Sequence, residues 1–399
     1  MWETEININD IKEIRVKTTA YLGVGAINKI NDILSTLKTM NIDKVLIMSG
    51  KNSYKSTGAW EHVKNALESN SIKYVLYDKV TPNPNVIQVD EATELGKQFG
   101  AKAVIGIGGG SPIDAAKSAA ILLEYTDKNA TELYEYKFTP EKAVPIIAIN
   151  LTHGTGTEVD RFAVTTIEEK GFKPAIAYDC IYPLYAIDDP ALMTSLPKKQ
   201  TLYVSIDAIN HVIEAATTKI SNPLDVLLAK ETIRLIVKYL PKAIENPNDL
   251  EARYYLSYAS MIAGTSFDNG LLHFTHALEH PLSGIKPNLT HGLGLAILLP
   301  AIIKQIYSAK PNTLADILAP MVEGLEGNPS EGNKASEGIK DWLHSVGVTE
   351  TLSDVGFVEN DIEKLTNLVF DTPSLGLLIS VAPVDGTKDI VKQIYADSF

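Results

Sequence analysis

The sequence predicts an α/β N-terminal half built on a parallel sheet, followed by an all-α C-terminal half, and three observations carry that expectation. Up to about residue 190, short runs rich in valine and isoleucine alternate with amphipathic segments, the rhythm of strands joined by crossover helices. From about residue 198 the apolar positions recur at helical spacing with almost no strand pattern. Between them lies the turn-rich stretch DDPALMTSLP (188 to 197), which divides the chain into one domain over 1 to 190 and a second over 191 to 399. A length of 399 residues fits two or three domains around a large core.

In the first half, KVLIMSG (44 to 50) reads as a strand leading to a helix near 58 to 69. IKYVLYD (72 to 78) follows with a helix over 85 to 99, then AKAVIGIGGGS (101 to 111) with a helix over 112 to 124, then VPIIAIN (144 to 150). In the second half, helical periodicity marks 199 to 218, 224 to 241, 249 to 265, 269 to 281, 291 to 308, 313 to 323, 336 to 345, 359 to 369 and 386 to 396. The polar stretch EGLEGNPSEGNKASEG (323 to 338) is expected to be a surface loop, and there is no internal repeat.

Composition narrows the function classes. Apolar residues make up 45% and charged residues 21%, close to a globular average. A net charge of -13 with no basic run argues against nucleic acid and for small ligands. The single cysteine, Cys180, cannot form an internal disulfide, and the acidic N-terminus is unlike a signal peptide, so a cytoplasmic location is expected. Apolar stretches such as LGLAILLPAII (293 to 303) are short of the ~20 residues that span a bilayer, so no membrane anchor is expected.

Two features carry chemistry. The run Gly106, Gly108, Gly109, Gly110 and Ser111 leads from a strand into a helix starting near Pro112. Glycines let backbone approach a phosphate, and a helix N-terminus supplies free N–H groups, so this reads as a pyrophosphate seat. The pattern is not G-x-G-x-x-G, and taken alone it serves equally as a plain strand-to-helix turn, with Asp114 and Lys117 as capping and solvated charges. The second feature is Asp207 and His211, with His276, His280 and His291. Each i, i+4 pair lies on one helix face, so two helices offer ligands to a common ion. Any one such pair is more often a polar stripe on a buried helix, but four of the eight histidines in the chain fall here. One carboxylate and several imidazoles suit Fe, Zn, Ni or Co rather than Mg or Ca. His273 is set aside as an outer or surface histidine, and His62 and His344 carry no signal. His276 to His280 also spells H-x-x-E-H, the motif of inverted zinc peptidases, but that reading leaves Asp207, His211, His291 and the glycine loop unused.

The chain resembles the iron-containing (group III) alcohol dehydrogenases over essentially its whole length. GGGSPIDAAK (108 to 117), VTPNPN (80 to 85), THGTGTEVDRFAVTT (152 to 166), DAINHVIEA (207 to 215) and HALEHPLSG with THGLGLAILLP (276 to 300) are similar to that family's motifs. The resemblance implies a dinucleotide-binding α/β domain and a helical domain, the dehydroquinate synthase-like architecture, with the site in the cleft between them. It implies a divalent metal, Fe2+ with Zn2+ or Ni2+ as alternatives, on Asp207, His211, His276 and His291, with His280 facing nicotinamide and substrate as the catalytic group. It implies cofactor contacts at Asn83, Gly109, Gly110, Ser111, Asp114, Thr152, Thr155 and Lys173. Gly50, followed by Lys51, Asn52, Ser53 and Lys55, stands where NAD-preferring members place an aspartate against the ribose, which favours NADP with NAD as the alternative. The implied reaction is hydride transfer between a nicotinamide cofactor and a small primary alcohol or aldehyde, in a homodimer.

The alternatives are a glycerol, polyol or sugar-phosphate dehydrogenase of the same superfamily and a metal- or nucleotide-binding protein without catalysis. Three departures from the family pattern stand out. Leu151 and His153 flank Thr152, which bears on one cofactor hydrogen bond and suggests a contact between His153 and substrate. The stretch between His276 and His291 is one residue longer than in many members. The segment DTPSLGLLISVAPVDGTKDI (371 to 390) lacks the N-P-R pattern common there.

Overall fold

The computed structural model describes residues 1–6 and 10–399. Among these, eight strands form: β1 (Thr19–Leu22), β2 (Lys44–Ser49), β3 (Lys73–Tyr77), β4 (Ala103–Gly108), β5 (Ile146–Asn150), β6 (Phe162–Val164), β7 (Ala175–Ala177) and β8 (Tyr185–Asp188). Six of them make one parallel sheet in the order β1-β8-β5-β4-β2-β3, while β6 and β7 pair antiparallel apart from it. The four runs read from the sequence are β2 to β5. The short β1 and β8, and the β6–β7 pair, carry too little pattern to be singled out from sequence.

Alternation along the strands feeds two cores. Leu46, Met48 and Val104 pack beneath helices Val86–Phe99 and Gly110–Glu124, and Val45, Ile47 and Ile105 pack beneath Ile30–Thr39 and Ala59–Ser69. Helix Val86–Phe99 starts at a capping box in which Asn85 and Gln88 satisfy each other's backbone amides, and it stops at Gly100 with a left-handed φ of 78°. Register pairs Gly108 with Asn150 and Ser49 with Ile107, so β2, β4 and β5 end level. Their carboxyl ends, where doubly wound sheets take ligands, form one wall of the cleft.

The second half is helical throughout its described residues, around a single core. At its centre lies Lys198–Thr217, buried from Thr201 to Thr217 and packed against Pro223–Glu245, Leu250–Gly270 and His291–Ile306. Three expectations are corrected. Pro223–Glu245 runs past Pro241, because Tyr239, Leu240 and Ala243 keep one face buried across it. Leu250–Gly270 extends beyond 265 and the next helix begins only at Phe274, since Leu271 takes a positive φ. The polar stretch 323 to 338 is not all loop: helix Gly332–Ser345 begins inside it, anchored by Ala335, Ile339 and Leu343 at i, i+4 and i+8. The apolar helix beginning at His291 is long enough to cross a membrane, but most of it is buried in the protein.

Where the two halves meet, backbone touches backbone. A Cβ on Gly156 would lie 2.4 Å from the Cα of Gly264, and one on Gly264 would lie 2.3 Å from the carbonyl oxygen of Gly156. A Cβ on the neighbouring Gly154 would meet the carbonyl oxygen of Val204 at 2.4 Å. Only glycine permits this approach.

Candidate active site

A cleft of about 1600 Å³ is lined by Gly50, the glycine loop, the histidine cluster, and Leu377 and Leu378. Every residue expected at the cofactor and metal sites lines it.

At the glycine loop, β4 turns into helix Gly110–Glu124, which no side chain caps. Opposite stands the loop after β5. A Cβ on Gly109 would meet Thr152 Cγ2 at 2.8 Å, and one on Gly110 would meet Thr155 Cγ2 at 2.7 Å, so the glycines hold two hydroxyl residues against the helix start. This is a small, polar cradle of the kind a pyrophosphate needs. Asp114 and Lys117 are not the capping and solvated charges considered above. Asp114 accepts from Thr157 Oγ1 at 2.7 Å and from the Val164 amide at 3.0 Å, and burial raises its carboxyl to about 6. The fully buried Lys117 donates to Asp160 Oδ1 at 2.8 Å, Thr157 Oγ1 at 2.9 Å and two carbonyls, stitching the helix to that loop.

The metal-ligand candidates converge. On helix Lys198–Thr217, His211 Nε2 lies 3.3 Å from Asp207 Oδ1. From helices Phe274–Ile285 and His291–Ile306, His276 Nε2 and His291 Nε2 approach the same oxygen at 3.4 and 3.9 Å. Ligands bound at about 2.1 Å around one tetrahedral ion sit about 3.4 Å apart, so this spacing fits a shared ion. Two carboxylates orient the rings, Glu214, which the sequence reading did not single out, and Glu279, which it met only as the glutamate of H-x-x-E-H: Glu214 holds His276 Nδ1, and Glu279 holds His291 Nδ1. Such carboxylates fix the tautomer and leave Nε2 to face the ion. Glu214 stands at i+3 from His211, and that spacing on a buried helix was the signal available in the sequence.

Electrostatics agree with this geometry. Burial alone would raise the Asp207 carboxyl, but His211 and the other imidazoles outweigh it and hold it below the usual carboxylate range. Burial takes His211 down to about 4, whereas the pull of Glu214 overcomes burial and lifts His276 to about 9.

His280 differs from its neighbours. Its Nδ1 donates to the Lys173 carbonyl at 2.8 Å, which leaves Nε2 as the acceptor, and burial keeps the ring well below its ordinary pKa and so neutral. Lys173 Nζ donates to Ser283 at 2.9 Å and lies 3.6 Å from Glu279. The glutamate of H-x-x-E-H is therefore committed to His291 and Lys173, so the peptidase arrangement is not built. His153 does not reach the substrate side. It is buried behind the loop, where Arg253 Nη1 donates to its Nε2 at 2.9 Å, and burial lowers it to about 3. His273 is buried as well, with Nε2 at 2.9 Å from Thr217 Oγ1 and Nδ1 accepting the Phe274 amide. The divergent C-terminal segment supplies Ser374, Leu377 and Leu378 to the lining of the cleft.

A phosphate cradle and a one-carboxylate, three-imidazole cluster sharing one cleft define an oxidoreductase in which a dinucleotide and a metal meet. Residues 17–190 match the iron-containing alcohol dehydrogenase family, and residues 201–399 match the C-terminal part of the Fe-containing alcohol dehydrogenase family. The chain is 61% identical over 399 residues, 100% of each protein, to the long-chain primary alcohol dehydrogenase AdhA of Thermoanaerobacter ethanolicus. It is 32% identical to alcohol dehydrogenase 4 of Schizosaccharomyces pombe over 90% of this chain and 83% of that one. The crystal structure of the NADH-dependent butanol dehydrogenase A of Thermotoga maritima superposes with a TM-score of 0.89 at 32% identity, covering 97% of this chain and 98% of that one. The chain belongs to the iron-containing alcohol dehydrogenase family and is an alcohol dehydrogenase.

Proposed function

We propose that this alcohol dehydrogenase interconverts primary alcohols and aldehydes with NADP(H) in preference to NAD(H), using iron(II) held by Asp207, His211, His276 and His291. The observation that carries the reading is the approach of three imidazole Nε2 atoms to one carboxylate oxygen in the cleft that also holds the glycine loop. When bound, the metal supplies Lewis acidity toward the alcohol or carbonyl oxygen, and the nicotinamide accepts or returns hydride. Gly109, Gly110 and Ser111, with Thr152 and Thr155 opposite, seat the pyrophosphate. The neutral His280, its Nδ1 fixed on the Lys173 carbonyl, takes the alcohol proton at Nε2 and gives it back in the reverse direction. Phe162, Phe267 and Leu271 exclude water around the alkyl part.

Primary alcohols with a sizeable alkyl chain are the preferred class, supported by these apolar residues and by the name of the AdhA relative. The preference for NADP rests on Gly50, Lys51 and Lys55 at the far rim. Asp78 is the acid there, and it is engaged by the Tyr54 hydroxyl at 2.9 Å and lies 3.8 Å from Lys55. A homodimer belongs to the same proposal on the family resemblance.

Chelator-stripped enzyme reloaded with Fe, Zn, Ni or no metal, and offered short and long aldehydes with NADPH or NADH, tests the reading. Metal-dependent oxidation of NADPH, with iron foremost, is expected, and Gly50→Asp should turn the preference toward NADH. Equal rates with and without metal, or an NADH preference in the wild type, would refute the corresponding part.

A further inference from the structure

Leu271 connects helices Leu250–Gly270 and Phe274–Ile285 with φ 61° and ψ 177°, a conformation almost reserved for glycine. Its surroundings enforce it. Thr218 Oγ1 donates to the Gly270 carbonyl at 2.6 Å, and a Cβ on Gly270 would meet the Ala215 carbonyl oxygen at 2.5 Å. Asn269 is tied to the backbone of Arg15 at 2.6 and 2.9 Å. On the other side, Glu214 takes the amides of His273 at 3.1 Å and Thr275 at 2.6 Å. With both ends clamped, Leu271 absorbs the turn.

The strained residue occupies a strategic place. Phe267, one turn earlier, packs on His211 with ring centroids 4.5 Å apart, and its carbonyl accepts the Leu271 amide at 2.8 Å. His211, Phe267 and Leu271 are thus linked in turn and all line the same cleft. Beyond lies a second cavity of about 370 Å³, lined by Ile11, Ile220 and Leu271 among mostly charged residues such as Arg15, Arg161 and Asp268, the aliphatic stems of the arginines leaving apolar surface between the charges. Among the described residues, Leu271 alone lines both spaces. Arg161 borders the outer one and the adjacent Phe162 the inner one.

We propose that Leu271 is the specificity-determining partition that ends the alkyl channel, so that its size sets the longest chain the enzyme accepts. The proposal rests on the alcohol reading of the site. The strain keeps a bulky side chain at a position where relaxed backbone would place glycine and join the two cavities.

The test titrates straight-chain primary alcohols from ethanol to dodecanol against the metal- and NADP-loaded enzyme, by kcat/KM and by calorimetric binding. The proteins are the wild type, Leu271→Ala, Leu271→Gly and the conservative Leu271→Met. Burying each added methylene should raise kcat/KM about fourfold until the tail meets the wall. That rise should break off in the wild type and Leu271→Met, and continue over further carbons in the alanine and glycine variants. Leu271→Gly fits the backbone angle and so keeps the comparison within folded protein. A break at the same chain length in both small variants overturns the partition. If the wild type turns over no alcohol, the dehydrogenase reading fails, and the binding curves still decide the partition.

Discussion

His276 and His280 share a helix face, yet what holds the Nδ1 of each ring suits them to opposite work in the proposed reaction. Glu214 on His276 points Nε2 at Asp207, whereas the Lys173 carbonyl on His280 leaves Nε2 free for a proton. His280→Ala should lower turnover by about 10²- to 10⁴-fold while atomic absorption finds iron content unchanged; loss of iron would make His280 a ligand. Glu214→Gln should weaken metal binding by about 10- to 100-fold, read by competition with a chromophoric chelator. The proposed ligands stood out in the sequence because four residues is about one helical turn. Their orienting carboxylates did not, since a glutamate on a helix is ordinarily solvated and only the packing of Glu214 and Glu279 against other helices turns them inward.

At the scale of elements, the glycine loop and the threonine loop are shaped to each other. Gly110→Ala pushes a methyl into Thr155 Cγ2 and should cost about 1–3 kcal/mol in stability and raise KM for the cofactor; thermal unfolding and cofactor titration check both. Adding Thr155→Ser removes the clashing carbon and should restore most of each, and an unaltered double variant would argue against the steric account. β2, β4 and β5 were visible because buried parallel strands are continuous apolar runs of usable length, and the half-buried edge strand β3 because KYVLY is rich in aromatic and branched residues. The three-residue β6 and β7 were not, and helix Gly332–Ser345 was legible only from 336 onward, because its first turn is diluted by glycine, asparagine and lysine. The break at Leu271 had no local signal either, because leucine is an ordinary helix former and the turn is imposed from outside.

For the molecule as a whole, the acids behind the threonine loop set a pH dependence. Burial raises Asp188 to about 7, with the hydrogen bond from Asn150 opposing it, and Glu158 beside it is raised as well. A carboxyl raised on folding contributes stability that is fully present below its unfolded pKa of about 3.9 and is lost as pH climbs through the folded value. Asp188→Asn keeps the shape and removes the titration. Its Tm relative to wild type should therefore rise between about pH 5 and pH 8, and a constant difference would show that Asp188 ionises as freely in the folded protein as in the unfolded chain.

The meeting of Gly156 with Gly264 bears on what a cut chain would do. Peptide groups pressed together without side chains lose their shelter from neither partner alone but from both at once, and desolvated amides left without cover are costly. A protease nick within 189 to 197 should thus yield fragments that elute together and melt in one step. Severing the covalent thread leaves the two pieces mated, because each is the other's missing surface.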